Sequence, residues 1–426
     1  MLDHDHSPQD LVNQKMVQNH KEIESIIKGE SFIRDDQNEP RDTYKISYII
    51  HFLLGAGNLL PWNALITAVD YFGYLYPTKH VEKVFSVAYM TSSLLILVLM
   101  LSWSKWNQTM SLRLRLNLGF SMFVLSLMVT PIVDWANWDQ NGTKVKSNAT
   151  YYVVVASVVI CGLADGLIGG SLIGSAGKLP KQYMQAIFAG TASSGVLISI
   201  LRIITKVSLP HTPQGLKTSA HFYFIISTTV LILCIICCNL LYKLPVMQQH
   251  YTQLVQEFLP CSRRKLRDVA RTIRCPAFGI FVIYTVTLSI FPGFLAENLE
   301  SRVLKDWYPI LLITVYNVSD FVGKSFTAVY VLKSTGKATW GCAARLLFYP
   351  LFTACLHGPK WLKSEMPIVL LTTMLGVTNG YLTSVIMILA PKSVPSSEAE
   401  IAAIVLAVSL GMGLVAGSVV GWIWII

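Results

Sequence analysis

The chain has 426 residues, of which 53% are hydrophobic and 14% are charged, and its mean hydropathy is +0.51. An ordinary soluble domain carries roughly a quarter charged residues, so this composition excludes a soluble protein. The net charge of +10 would favour nucleic acid as a partner of a soluble chain. Here we assign the basic surplus to the anionic face of a lipid bilayer and expect no nucleic acid partner.

Windows of about 19 residues reveal eleven apolar spans of membrane-crossing length. The predicted spans are 46–69, 84–103, 113–133, 151–176, 183–206, 220–242, 275–296, 307–332, 340–357, 366–390 and 400–425. The predicted fold class is therefore an all-α polytopic membrane protein. Lysine and arginine are concentrated in the loops on the side of the N-terminus, which predicts a cytosolic N-terminus and an extracytosolic C-terminus.

The spacing of the spans also predicts domain boundaries. Residues 1–45 are polar and charged, which predicts a disordered cytosolic N-tail. We expect a six-helix bundle over 46–242, a basic cytosolic loop over 243–274 and a five-helix bundle over 275–426. The chain contains no phosphate-binding loop, zinc-protease motif or pair of midspan aspartates. We therefore expect no cofactor, no metal and no enzymatic activity.

The first span carries a tryptophan in an unusual position. Trp62 follows Pro61, which is expected to kink the helix, and Ile66 lies one turn further along. Tryptophan prefers the membrane interface, so a midspan indole either packs against neighbouring helices or offers a flat surface to a ring-shaped ligand in a cavity. The sequence leaves both interpretations open.

Two glycosylation sequons lie between the third and fourth spans, at Asn141 and Asn148. Both fall on the side that the charge distribution predicts to be outside. Asn148 lies close to the predicted membrane boundary, so Asn141 is the better acceptor.

The fourth span has a glycine at every fourth position from Gly162 to Gly174, which permits close helix packing. Asp165 lies in the same span. It could contact a solute, take up a proton, or form an ion pair with Arg202 of the fifth span or Arg345 of the ninth. We favour the ion pair.

The eighth span carries two opposite charges one helical turn apart. Asp320 and Lys324 share a helix face with Asn317, whereas apolar residues occupy the other face. Each midspan charge costs roughly 2.5–3.5 kcal/mol, so the polar face must contact protein or a watery cavity. A structural ion pair is one interpretation. A solute site in the middle of the membrane is the other, and we prefer it.

These features together indicate a secondary transporter with a site near the membrane midplane. A paired acid and base leave little net charge, which favours a neutral solute. The alternatives are a transporter of another small neutral polar solute and a non-transporting multi-span receptor.

Several stretches resemble the equilibrative nucleoside transporter family, and plant members most of all. The similar segments are GAGNLLPWNALITA in the first span, GGSLIGSAGKLP in the fourth, YNVSDFVGKSFTA in the eighth and NGYLTSVIMILAPKSVPSSEAEIAAIVLAVSLGMGLVAG at the end of the chain. The resemblance extends from about residue 44 to the C-terminus.

The resemblance implies a six-plus-five arrangement akin to the major facilitator superfamily and alternating access around a central nucleoside site. It implies that Trp62 and Ile66 line the site and that Asp320 and Asn317 meet the ribose. The family usually has arginine where this chain has Lys324, and animal members often have glutamine at the position of Gly169. Hydrogen bonds to sugar and base must therefore differ.

Two further expectations concern energetics and location. Transport is either passive or coupled to protons, with Asp165, Asp70 or Asp320 as the acceptor. The expected location is the plasma membrane, with a vacuolar or other internal membrane as the alternative.

Overall fold

The computed structural model describes residues 45–77, 79, 81–102, 110–136, 148–210, 212–244, 247–248, 263–297, 299, 301, 303–359, 362 and 364–422. The predicted N-tail lies outside these residues except for its last position. Helices are the only regular secondary structure in the part of the chain that is described.

Eleven long helical segments follow one another, and we number them α1 to α11. Their bounds are α1 Ile46–Thr67, α2 Val81–Ser102, α3 Leu112–Ala136, α4 Asn148–Lys178, α5 Lys181–Ser208, α6 Pro213–Leu241, α7 Arg274–Ile290, α8 Tyr308–Phe326, α10 Glu365–Leu389 and α11 Ala399–Val420. The ninth, α9, consists of Thr335–Ala344, the 3-10 turn Arg345–Leu347 and Phe348–His357. Each predicted span coincides with one of these segments.

Nine helices among the described residues are long and apolar enough to cross a membrane. The two remaining segments, α8 and α9, do not meet this criterion of length and apolar character, each for a physical reason. The face of α8 that carries Asn317, Asp320 and Lys324 lowers its hydropathy. The segment α9 is interrupted, because Pro350 has no N–H to donate to the carbonyl one turn earlier.

Close backbone contacts hold neighbouring helices together. On α4, a Cβ at Gly162 would clash with the Tyr89 carbonyl of α2, and a Cβ at Gly166 would clash with the Ser93 carbonyl. Only a bare backbone allows this approach, so the close packing predicted from the glycine spacing is confirmed.

We call α1–α6 the N-terminal half and α7–α11 the C-terminal half. Within the halves, α1 packs on α5, α2 and α3 pack on α4, α7 packs on α11, and α8 packs on α10. Between the halves, α5 contacts α8, and α11 contacts α2 and α4. The candidate functional site lies among these helices.

A short helix, Arg263–Thr272, stands within the predicted basic loop and packs against α11. Val269 is buried on one side, and Arg267 and Arg271 are exposed on the other. The apolar side covers the end of the bundle, and the cationic side faces away from it.

Candidate functional site

An ion pair lies in the middle of α8. Lys324 Nζ lies 2.8 Å from Asp320 Oδ2, and the two residues are only 4% and 7% exposed. An unpaired charge in such a place is costly, and the four-residue spacing lets each group compensate the other within one helix. The two groups face the same way, as the sequence predicts.

A chain of hydrogen bonds supports the carboxylate from the C-terminal half. Asn379 of α10 donates to Asp320 Oδ1 at 2.7 Å, and Thr287 of α7 donates to Asn379 Oδ1 at 2.8 Å. The guanidinium of Arg345 in turn donates to Thr287 at 2.7 Å and to Thr378. Because each member is held by the next, the position of Asp320 is set by four segments of the fold.

The polar face of α8 also contacts the N-terminal half. Lys324 Nζ donates to Thr191 Oγ1 of α5 at 3.4 Å. Asn317 Nδ2 donates to Ser199 Oγ at 2.8 Å and to the Gly195 carbonyl at 3.2 Å. The ion pair therefore lies where the two halves meet.

A cavity of about 170 Å³ opens between the halves beside this ion pair. Trp62 borders it, with its indole centroid 4.8 Å from the ring of Tyr89 and the planes inclined by 45°. A second aromatic pair, Phe291 and Tyr316, is stacked at 3.9 Å and borders the same cavity. The walls thus combine flat apolar surfaces with a few polar groups, as in small-molecule sites.

The structure brings together four of the five residues expected to bind substrate. Trp62, Asn317, Asp320 and Lys324 all line the cavity. Ile66 does not line it. Its side chain is partly buried and packs against the large apolar core one helical turn beyond Trp62, so the cavity does not extend that far along α1.

The favoured ion pair of Asp165 is wrong. Asp165 also lines the cavity, and its Oδ2 accepts a hydrogen bond from Ser93 at 2.7 Å. Arg202 instead forms an ion pair with Asp70 at 2.5 Å. Arg345 donates to Thr287, which belongs to the hydrogen-bond network of Asp320. No ion pair joins Asp165 to any residue in the described ranges.

The side chains of both predicted glycosylation sites lie outside the part of the chain that the structure describes. Asn141 lies outside the described residues. Asn148 is the first residue of α4, and its side chain also lies outside what is described.

Several residues of the cavity and its network were not predicted from the sequence. Asn379 and Thr287 complete the network of Asp320, and Asn58 lines the cavity beside Trp62. The only available signal was that Asn379 and Asn58 are polar residues inside apolar spans. Such residues rarely face lipid.

Two further ion pairs mark the two ends of the bundle. Lys178, the last residue of α4, lies 3.0 Å from Glu400 at the start of α11, so this pair joins the two halves. Arg202 of α5 bonds to Asp70 in the short helix Val69–Leu75 and donates to the Thr67 carbonyl at 2.6 Å, all within the N-terminal half.

Comparison with protein families links the chain to a family of transporters. The model described as "Nucleoside transporter" matches residues 155–263 and 261–426. Among relatives from Arabidopsis thaliana, equilibrative nucleotide transporter 8 is 64% identical over 393 residues, covering 92% of this chain and 98% of that protein. Equilibrative nucleotide transporter 1 is 47% identical over 399 residues, covering 91% and 88%.

Solved structures with a similar fold are transporters of the major facilitator superfamily. The proton:xylose symporter XylE superposes with a TM-score of 0.62 at 13% identity, covering 90% of this chain and 89% of that one. The human organic anion transporter MFSD10 superposes with a TM-score of 0.54 at 14% identity, covering 90% and 93%. These likenesses show the fold alone, and they confirm the expected helical arrangement.

Proposed function

Since the chain belongs to the nucleoside transporter family, we propose that it carries nucleosides across a membrane by alternating access around the cavity between its halves. One observation carries this proposal. The Asp320–Lys324 pair and the Trp62 indole, which lie on different halves, border the same cavity. A purely structural ion pair would have no reason to share an opening with an aromatic surface from the other half.

The cavity suits a nucleoside better than a nucleotide. The charged residues that line it are Asp165, Asp320 and Lys324, which leaves one negative charge. Arg345 is 2% exposed and its guanidinium donates to two threonine hydroxyls, so it is not accessible to a ligand. A phosphate group would be repelled in this setting. The relatives are named nucleotide transporters, but these charges favour the neutral nucleoside.

We assign the two parts of a nucleoside to different walls. Asp320 and Asn317 receive the ribose, because a carboxylate accepts hydrogen bonds from vicinal hydroxyls and an amide both donates and accepts. The base stacks near Trp62. Lys324 keeps Asp320 charged and positioned, and as a point charge it offers the sugar a single contact where an arginine would offer a fork.

The transport cycle in this proposal moves the two halves as bundles about the bound solute. The described conformation is closed between α4 and α11, where Lys178 meets Glu400. We place this end and the N-terminus in the cytosol, the C-terminus outside, and the protein in the plasma membrane. Flux is either passive or coupled to protons. Uptake from acidic against neutral medium, with and without a protonophore, separates the two.

The Asp320→Asn variant tests the proposal in cells that lack their own nucleoside carriers. We expect uptake of labelled adenosine and uridine to fall at least ~10-fold at equal surface amounts, because the change loses a charged acceptor and leaves Lys324 unpaired. Asp70→Asn makes the same chemical change outside the cavity and should retain uptake. Normal saturable uptake by Asp320→Asn would refute the assignment.

A further inference from the structure

The cavity contains a second polar cluster that the proposed ribose contacts do not use. Asp165 of α4 is partly buried, lines the cavity, accepts a hydrogen bond from Ser93 of α2 and interacts with the hydroxyl of Tyr89 on the same helix α2. It forms no ion pair within the described residues, in contrast to Asp320. A carboxylate has room for about four hydrogen bonds, so Asp165 retains acceptor capacity.

An amide of α1 lies on the same cavity wall, next to the turn of α4 that follows this carboxylate. Asn58 of α1 also lines the cavity, and its Oδ1 atom is buried with no hydrogen-bond partner among the described residues. Gly169, one turn after Asp165 on α4, lies next to this amide. A Cβ there would lie 3.5 Å from Asn58 Nδ2 and 3.7 Å from Oδ1. A buried amide oxygen that lacks a hydrogen-bond partner on a cavity wall indicates a ligand group that donates a hydrogen bond.

The cluster lies beside the aromatic surface on which a base would stack. The ring of Tyr89 contacts the Trp62 indole at 4.8 Å, and Ser93 follows Tyr89 by one turn of α2 and holds Asp165. Trp62, Tyr89, Ser93 and Asp165 thus form a continuous series of contacts along one wall. A base on Trp62 would turn its polar edge toward Asp165 and Asn58.

Building on the proposed nucleoside function, we propose that Asp165 and Asn58 form a base-edge subsite that selects bases with an exocyclic amino group. The amino group has two N–H bonds. The carboxylate of Asp165 accepts from one of them, and the Asn58 Oδ1 atom accepts from the other. Adenine and cytosine carry such an amino group. Hypoxanthine and uracil carry a carbonyl in its place, which sets an acceptor of the base against two acceptors of the protein.

The test compares uptake efficiency, as kcat/KM, for two matched pairs of nucleosides in cells expressing the full chain. The pairs are adenosine with inosine and cytidine with uridine. Purine riboside, which lacks only the amino group of adenosine, is the fifth substrate. We expect the amino-bearing nucleoside to be preferred about 10-fold or more in each pair, because a hydrogen bond to a charged group is lost in the other.

Substitutions of the two residues test whether they cause this base preference. Asp165→Asn should bring each ratio close to about 1, because the new amide can face either edge. Asp70→Asn, the same change outside the cavity, should leave the ratios at their wild-type values. Should Asp165→Asn transport nothing, Asn58→Ala replaces it and should lower the same ratios. Because a ratio is measured within one variant, differences in surface amount cancel.

Several outcomes overturn the subsite. The first is equal wild-type uptake of adenosine and purine riboside, and the second is an unchanged ratio in Asp165→Asn or Asn58→Ala. The third is an Asp165→Asn variant that keeps the wild-type ratios but whose uptake of all five nucleosides no longer responds to the pH of the medium. The last result would make Asp165 a proton site instead. Failure of the proposed function is distinct, since wild-type protein would then transport none of the five.

Discussion

The two ends of the helix bundle are held by ion pairs of different kinds. Lys178 and Glu400, with side chains 8% and 18% exposed, join the N-terminal half to the C-terminal half. Arg202 and Asp70, 21% and 55% exposed, belong to the same half. The two pairs are far apart, because α5 begins beside Lys178 and reaches Arg202 after about 30 Å.

The ion pair between the halves and the ion pair within one half therefore have different roles. A contact between halves must break whenever the halves part, so its energy biases the equilibrium between conformations. A contact within one half persists through the motion and contributes only to local stability. The following predictions test this distinction.

The largest effect is expected at Gly177, where α4 approaches α11. A Cβ at this position would lie 2.7 Å from Ala403 Cβ and 2.8 Å from the Ala399 carbonyl. Gly177→Val should force this end apart at a cost of about 1–3 kcal/mol and reduce uptake ~10-fold or more. Uptake at equal surface amount is the measurement.

Gly73→Val makes the same change at the other end of the bundle and is the matched control. No atom lies within 4 Å of a Cβ there, so uptake should be unchanged. Full uptake by Gly177→Val would show that the contact between α4 and α11 is not needed in the cycle.

An intermediate effect is expected for the ion pair between the halves. Lys178→Ala and Glu400→Ala should each favour opening of this end, because the remaining charge stays partly buried without that partner. The measurement is labelling of an Ala407→Cys reporter, which lines the cavity, by an impermeant maleimide applied from the Lys178 side. We expect a few-fold faster labelling, corresponding to about 1 kcal/mol.

The charge swap Lys178→Glu with Glu400→Lys sharpens this test. It should restore slow labelling if the pair acts through mutual attraction. Rates for the swap as fast as those of the single variants would mean that packing alone closes this end.

The smallest effect is expected at Asp70. Exposed ion pairs contribute about 0–1 kcal/mol, so Asp70→Asn should change uptake less than about 3-fold and lower the melting temperature slightly. The same Ala407→Cys labelling rate should be unaffected. Faster labelling would contradict the idea that this pair acts within one half only.

The sequence predicted the helical elements, and four of the five residues that it singled out for substrate binding line the cavity. Apolar run length determines where a chain crosses a membrane, so all eleven spans coincide with helical segments. The four-residue spacing of Asp320 and Lys324 determines that they share a face, whatever the neighbours are. The positions of Trp62 and Asn317 on the cavity also agree with the expectation.

Contacts between helices were not predictable in this way. An ion pair between Asp165 and an arginine was predicted because both residues carry charges inside apolar spans. Which side chains meet, however, depends on how α4 and α5 are rotated about their axes. A single sequence does not specify that rotation. The same limit explains why the network through Asn379, Thr287 and Arg345 was missed, since its members come from three separate segments.

The contact of α8 with α10 has a consequence for how a solute is released. A Cβ at Gly323, Gly376 or Gly380 would clash with backbone of the facing helix, so these two helices cannot slide or separate without breaking their closest packing. Asp320 and its donor Asn379 therefore travel as one rigid unit. In the proposed cycle, the contacts of this unit with the sugar would therefore stay constant, and the solute would leave when the helix that carries Trp62 moves away.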